Sequence, residues 1–225
     1  MGSVVLGVDG ARGGWAVAVV EGTSHSARLL AWRSAPGPGV EAVLATAPGA
    51  LAVGFDVPIG LPRDDWRPAD RLAKRALGRA HARVFLVPPR AVLRAPDYTA
   101  ARQVSRELLR GKGLSAQTWG LRGPVLALDE ALTQDRVRRL AVETHPELSF
   151  AAMTGAVLPP KKTPAGREAR VAALAGWLDG PPAPAGDDHL DAAACAWSAL
   201  RFVEGVAAVL GGEPDERGLP QRIVT

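Results

Sequence analysis

The stretch Val4-Val5-Leu6-Gly7-Val8-Asp9 is the part of the sequence that decides the fold class. It is a short apolar run rich in β-branched residues that ends in a carboxylate, and the glycine-rich turn GARGG follows at residues 10–14. Two further apolar runs, at 15–20 and 27–32, predict a second and a third strand in an antiparallel meander. A helical stretch at 40–47 and an apolar run ending in Asp56 extend the predicted order to strand, strand, strand, helix, strand.

The sequence changes character after this first part. Residues 61–137 contain arginine-rich and alanine-rich helical stretches that prolines and glycines interrupt. No low-complexity linker brackets them, so we expect a mostly helical insertion within one domain that spans residues 1–225. Strand character returns at 138–143, which ends in Glu143, and a helix begins at Pro164. The last helix starts in the DDHLD motif at 187–191 and runs through Val203, with Cys195 as a small core residue.

Composition narrows the class of protein. A chain of 225 residues with 47% hydrophobic content can bury a sizeable core, which excludes a disordered protein and a miniprotein. Charged residues make up 22%, and no apolar run reaches the roughly 18 residues of a membrane span. The single cysteine excludes an internal disulfide and a cysteine-rich metal site, and the first residues lack a signal pattern. We therefore expect a cytoplasmic protein without a membrane partner.

Positive charge is concentrated in the insertion. Between Arg63 and Arg139 there are 17 basic and 8 acidic side chains, a net charge of +9, so the remainder carries −5 against the overall +4. This asymmetry indicates a polyanionic partner such as nucleic acid. A high-GC composition that favours arginine and alanine is an alternative source of the arginine excess.

Four aspartates are predicted to converge at one edge of the sheet. Asp9 and Asp56 end apolar strands, and parallel neighbouring strands place such ends side by side. Asp188 and Asp191 lie three residues apart in the first turn of the last helix and share a face. Like charges this close raise one another's pKa unless a cation compensates them. Oxygen ligands favour Mg²⁺ or Mn²⁺, and two such ions about 4 Å apart can clamp a reacting phosphodiester.

Each of these aspartates also has a structural interpretation. Asp9 precedes a glycine and can form a turn, and the aspartates of the DDHLD motif can cap the helix and complement its dipole. Asp56 is harder to explain in this way, because it follows a buried run and precedes Val57-Pro58, at the mouth of the sheet rather than in an ordinary solvated loop.

Other polar residues are candidates for the same site. Glu143 ends a predicted strand and is a further candidate metal ligand, although it can equally cap the helix that follows. His145 is a candidate general base or phosphate-orienting group, with a structural role as the alternative. Four cations in loops are candidate phosphate contacts, with solvated surface charge as the alternative: Arg12, Arg90, Lys161 and Lys162.

Seven motifs spread over nearly the whole chain resemble those of the domain of unknown function 429 family. They are GVDGARGGW at 7–15, GFDVPIGLP at 54–62, VFLVPPR at 84–90, GLSAQ at 113–117, ETHPELSF at 143–150, KKT at 161–163 and DDHLDA at 187–192. That family is similar to the RNase H-like superfamily and is regarded as a set of predicted nucleases.

The resemblance implies a five-stranded mixed sheet flanked by helices, with the helical basic insertion between the fourth and fifth strands. The arrangement Asp-x-x-Asp-Ala at 188–192 also resembles Holliday-junction resolvases of that superfamily. By this resemblance the metal ligands are Asp9, Asp56, Asp188 and Asp191.

These observations lead to three functional hypotheses. The first is an Mg²⁺- or Mn²⁺-dependent nuclease acting on DNA or RNA. The second is a catalytically inactive nucleic-acid-binding or scaffold protein that kept the fold. The third is an ATP-binding phosphotransferase of related fold, which 225 residues leave little room for, since such proteins repeat the fold twice. Related folds often form homodimers, but the residues leave the oligomeric state open.

Overall fold

A mixed six-stranded sheet forms the centre of the molecule in the computed structural model, which describes residues 2–225. Its strands are β1 (Ser3–Ala11), β2 (Gly14–Gly22), β3 (Ala27–Pro36), β4 (Ala52–Phe55), β5 (Ala141–Glu143) and β6 (Leu178–Asp179). They lie in the order β5-β4-β1-β2-β3-β6. The first three strands pair antiparallel, whereas β4 is parallel to β1 and β5 is parallel to β4.

This topology confirms the predicted RNase H-like fold. The five-stranded mixed sheet is present, and the two-residue strand β6 extends it beside β3. Helices flank the sheet, and the predicted helical segment lies between the fourth and fifth strands. The helices are α1 (Val40–Leu44), α2 (Pro68–Ala76), α3 (Arg90–Leu93), α4 (Tyr98–Leu108), α5 (Ala116–Gly120), α6 (Arg122–Ala131), α7 (Asp135–Leu140), α8 (Pro146–Thr154), α9 (Pro164–Ala175) and α10 (Asp188–Val203). A 3₁₀ helix at Gly78–Arg83 follows α2.

Helix α10 packs unusually close to the sheet, and glycines in two strands make this possible. A Cβ atom at Gly7 would overlap the carbonyl oxygen of Ala192, and one at Gly54 would lie 2.5 Å from that of Cys195. Cys195 is fully buried, as predicted for a small core residue. The small side chains of α10 and the two glycines together bring the helix backbone onto β1 and β4.

The structure corrects the predicted strand at 138–143. Arg138 and Arg139 lie in the last turn of α7, and β5 contains only its final three residues. Asp135 lies in the first turn of α7 and the two arginines in its last, an arrangement that complements the helix dipole. Charge placement therefore favours a helix at this site, where the apolar residues alone indicate a strand.

A C-terminal hairpin was not predicted. Strands β7 (Val209–Pro214) and β8 (Pro220–Val224) pair antiparallel, and Val224 forms a parallel bridge with Thr144, next to β5. The hairpin therefore lies beside the end of β5, next to Glu143. No helix in residues 2–225 combines the length and apolar character that a membrane span requires.

The packing of α10 makes Gly7→Ala a sensitive test of the fold. The added methyl group must displace the helix backbone, so we expect the free energy of unfolding to fall by about 2–3 kcal/mol. Gly123→Ala in α6 is the matched control, since its added methyl group would meet no atom within 4 Å outside the adjacent residues and the backbone of its own helix. Urea denaturation of both variants measures the difference, and an equal effect of the two substitutions would contradict the close packing.

Candidate carboxylate site

Asp9 and Asp56 lie side by side at the carboxyl ends of neighbouring parallel strands, as the sequence predicts. In the register of β1 and β4, Val8 pairs with Phe55, and the backbone N–H of Asp56 donates to the carbonyl oxygen of Val8 at 2.9 Å. Asp9 is buried with 9% exposure, and Asp56 is half-buried. The sheet register therefore sets the spacing of the two carboxylates.

Asp191 joins the pair from the first turn of α10. It is 2% exposed, because the helix rests directly on β1 and β4. Asp188 lies one turn earlier and is half-buried. Its charge contributes to the rise in the pKa of Asp9, though less than those of Asp56 and Asp191. The structure thus brings together Asp9, Asp56 and Asp191, and Asp188 lies near enough for its charge to act on Asp9.

The electrostatics of the cluster follow from burial and from mutual repulsion. Burial and then the charges of Asp56 and Asp191 raise the pKa of Asp9 well above its usual range. Burial and the charge of Asp191 raise the pKa of Asp56 to about 8, against the opposing charge of Lys161. The cluster therefore favours protonated carboxyl groups unless a cation compensates the charges, and Asp56 holds its proton near neutral pH.

Lys161 supplies the positive charge beside Asp191. Its Nζ donates to Asp191 Oδ2 at 2.6 Å, and the pKa of Lys161 is raised by this partner and by Asp9 and Asp56, although its burial acts in the opposite direction. The structure therefore places this predicted phosphate contact as the counter-ion of the carboxylates. Its neighbour Lys162 is exposed at the margin of the same cavity and makes no salt bridge within residues 2–225.

The donor set of this cluster fits a hard divalent cation, although the present arrangement does not coordinate one. Every donor is a carboxylate oxygen, and the repulsion that raises the pKa values is the kind that a divalent ion relieves. In the described part of the chain, no three histidine, cysteine, aspartate or glutamate side chains are arranged as ligands of one ion. Lys161 occupies Asp191 Oδ2, so a bound metal would compete with the ammonium for this oxygen.

Glu143 reaches the same edge of the sheet but is not available as a free carboxylate. Both of its oxygens accept hydrogen bonds from Arg67 Nη2 at 2.7 Å, and the backbone N–H of Ile59 donates to Oε2 at 2.7 Å. Arg67 is fully buried and also lies 3.5 Å from Asp70. Burial raises the pKa of Glu143 to about 7 against the opposing charge of Arg67. The predicted metal ligand therefore acts as the ion-pair partner that ties the insertion to β5.

The prediction that Arg90 points outward to a phosphate is wrong. Arg90 is 6% exposed, and its guanidinium donates to Asp129, Asp215 and Glu216. It joins the insertion to the turn of the C-terminal hairpin, because acidic residues from both surround it. Arg12 is exposed in the β1–β2 turn and stays a predicted phosphate contact, but it does not line the cavity described next.

The carboxylates open into a cavity of about 480 Å³. The sheet edge and α10 supply its acidic floor, and the insertion supplies a largely apolar wall. The wall residues are Val84, Phe85, Val87, Leu121, Pro124 and Val125. Sequence reasoning missed this wall, although the apolar VFLVPPR motif at 84–90 contains half of it.

His145 also lines the cavity, as a residue of its polar side. Burial lowers the pKa of His145 to about 4, so its ring is neutral near neutral pH. Its Nδ1 is buried and has no hydrogen-bond partner among residues 2–225. A neutral ring with a free nitrogen can accept a proton or a hydrogen bond, so the predicted role as a base or phosphate-orienting group stays a prediction.

Asp56→Asn tests the electrostatic state of the cluster. The folded protein keeps the Asp56 proton up to about pH 8, whereas the unfolded chain releases it near its ordinary pKa of 3.8. The unfolded state therefore binds fewer protons between these values, and the free energy of unfolding falls as pH rises through this window. Asparagine removes this contribution, so we expect the variant to be more stable than the wild type at pH 8 by at least about 1 kcal/mol.

Chemical denaturation without metal from pH 5 to pH 8 measures this difference. Asp64→Asn is the control, because Asp64 is exposed and accepts no hydrogen bond within residues 2–225. If both variants follow the pH dependence of the wild type, Asp56 does not carry the uncompensated charge.

Comparison with known proteins places the chain in a family. RuvC of Thermus thermophilus in complex with a Holliday junction substrate matches with a TM-score of 0.47 and 17% sequence identity, over 91% of this chain and 97% of that chain. A second structure of Thermus thermophilus RuvC matches with a TM-score of 0.45 and 17% identity, over 90% and 97% of the two chains. No curated protein matches the chain in sequence. The family model described as protein of unknown function (DUF429) matches residues 7–216, and the chain therefore belongs to the DUF429 family.

Proposed function

We propose that this protein is a divalent-metal-dependent nuclease that hydrolyses phosphodiester bonds of nucleic acid. The observation that carries the proposal is the convergence of Asp9, Asp56 and Asp191 on the floor of one cavity, with mutual repulsion that raises the pKa values of Asp9 and Asp56. Burial and mutual repulsion of these carboxylates destabilise the folded state, so their presence in one cavity indicates a role other than stability. Binding of a cation gives them such a role.

Asp9, Asp56 and Asp191 would hold Mg²⁺ or Mn²⁺, with Asp188 beside them on the same face of α10. When bound, two such ions would generate a hydroxide nucleophile and stabilise the leaving oxygen of a phosphodiester. The residues of this chain fix the carboxylates, form an apolar wall beside them and place Lys161 and Lys162 at the cavity. Released from Asp191, the Lys161 ammonium is free to pair with a substrate phosphate.

The surface of the insertion supports nucleic acid as the partner. Arg102 and Arg106 are exposed one turn apart on α4, and Arg110 is exposed two residues beyond the end of this helix. None of the three makes a salt bridge within residues 2–225. Exposed cations without acidic partners can contact the phosphates of a DNA or RNA backbone.

The Lys161–Asp191 ion pair favours a second candidate, a nucleic-acid-binding protein without turnover. In that case Lys161 is the permanent counter-ion of the cluster, and binding to DNA or RNA is independent of metal and depends steeply on salt. The two candidates differ in one property, because only the nuclease requires the carboxylates to bind a metal.

Calorimetric titration of Mn²⁺ separates the two candidates. We expect wild-type protein to bind Mn²⁺ near neutral pH, and the Asp9→Asn, Asp191→Asn double variant to lose this binding. Hydrolysis of a nucleic-acid substrate should fall by at least about a hundredfold in each single variant, because the metals supply several kcal/mol of transition-state stabilisation. Asp64→Asn is again the control, and metal binding that is retained in the double variant would remove the proposal.

Lys161→Gln tests whether the lysine competes with the metal. Without the ammonium beside Asp191, the carboxylates attract a cation more strongly, so we expect the dissociation constant for Mn²⁺ to fall by about tenfold. Lys162→Gln is the matched control, because that side chain pairs with none of the carboxylates. An unchanged affinity for Mn²⁺ in Lys161→Gln would show that the lysine does not compete with the metal.

A further inference from the structure

The cavity above the carboxylates has two chemically different sides. One side carries the aspartates, Lys161 and Lys162, which suit a phosphate and its metal ions. The other side is formed by Val84, Phe85, Leu121 and their apolar neighbours in the insertion. The sugar–phosphate backbone is polar and gains nothing from such a wall, so the apolar side requires a different explanation.

The rim of the apolar wall is accessible, although its valines are buried. Phe85 is half-buried, and Leu121 is 36% exposed at the end of α5. Gln117 lies on the same side, is exposed, and its side-chain amide makes no hydrogen bond within residues 2–225. An aromatic ring, an aliphatic side chain and a free amide are the groups that stack on a nucleobase and hydrogen-bond its edge.

The size of the cavity limits what can enter. A volume of about 480 Å³ lies within the roughly 300–1,000 Å³ of pockets that bury one small ligand. In a duplex both faces of a base are covered by its stacked neighbours, so only an unstacked base can lie with its face against this wall. Enzymes that act on a nucleotide inside such a pocket take it out of the stack or select one that is already unpaired.

We propose that the site accepts one unpaired nucleotide of a nucleic-acid strand, with its base against Phe85 and Leu121 and its phosphate at the carboxylates. This inference rests on the proposed nuclease function and specifies its substrate class. The apolar wall then acts as a specificity element, because a base bound there sets which phosphodiester lies over the acidic floor. A fully paired duplex would bind only through the cationic exterior.

The test uses three duplexes of one sequence: one fully paired, one with a single unpaired nucleotide, and one in which that nucleotide is abasic. The abasic duplex keeps the phosphate and removes only the base. With Mn²⁺, we expect the bulged duplex to be cleaved next to the unpaired nucleotide with a kcat/KM about tenfold above that of either control duplex. Fluorescence anisotropy without metal measures binding of the same three duplexes and does not depend on turnover.

Two variants test the wall itself. Phe85→Ala should raise KM for the bulged duplex by about tenfold, leave kcat nearly unchanged and leave the abasic duplex unaffected. Because Phe85 also packs against the core, Leu121→Ala at the rim provides a second variant with the same expected pattern. Leu51→Ala is the matched control, since Leu51 is 56% exposed and does not line the cavity.

The outcomes separate this inference from the function on which it rests. Equal cleavage and equal binding of all three duplexes would overturn the inference and leave a nuclease without base recognition. Preferential binding of the bulged over the abasic duplex, without cleavage of either, would support the base pocket and overturn the nuclease. Absence of both cleavage and preferential binding would overturn both.

Discussion

The contact between α10 and the sheet is the constraint on which the rest of the structure depends. Gly7 and Gly54 leave no side chain between the helix backbone and the strands, so the first turn of α10 lies directly over the ends of β1 and β4. This packing buries Asp191 beside Asp9 and Asp56. A longer side chain at either glycine would lift the helix and separate the carboxylates, so packing and chemistry depend on the same two positions.

Burial of like charges at this point is balanced by cations from elsewhere in the chain. Lys161 approaches Asp191 from the segment before α9, while Arg67 occupies the oxygens of Glu143. The contact of Lys161 with Asp191 and that of Arg67 with Glu143 divide the acidic residues into two groups. Glu143 holds the insertion against β5, and the charge of Lys161 only partly offsets the rise in the pKa of Asp56.

The arginines of the insertion serve two different purposes. Arg67 and Arg90 are buried and join the insertion to the sheet and to the C-terminal hairpin, where breaking one partner of a buried pair is costly. The arginines of α4 remain on the surface without acidic partners. Only part of the positive charge of this segment is therefore exposed on the surface. The face of the segment that is turned toward the carboxylates is largely apolar.

Local patterns in the sequence were enough to predict the strands that carry Asp9 and precede Asp56, the start of the last helix and the convergence of Asp9, Asp56 and Asp191. Apolar periodicity and turn residues act over a few positions, and parallel strand ends meet by geometry. The partners of the charged residues were not predictable in this way. Arg67 and Glu143 are 76 residues apart, Arg90 and Asp215 are 125 apart, and the apolar wall assembles from several helices of the insertion. Such contacts arise only when distant segments pack, because a charged side chain carries no local signal that tells whether it will meet solvent, a substrate or a buried partner.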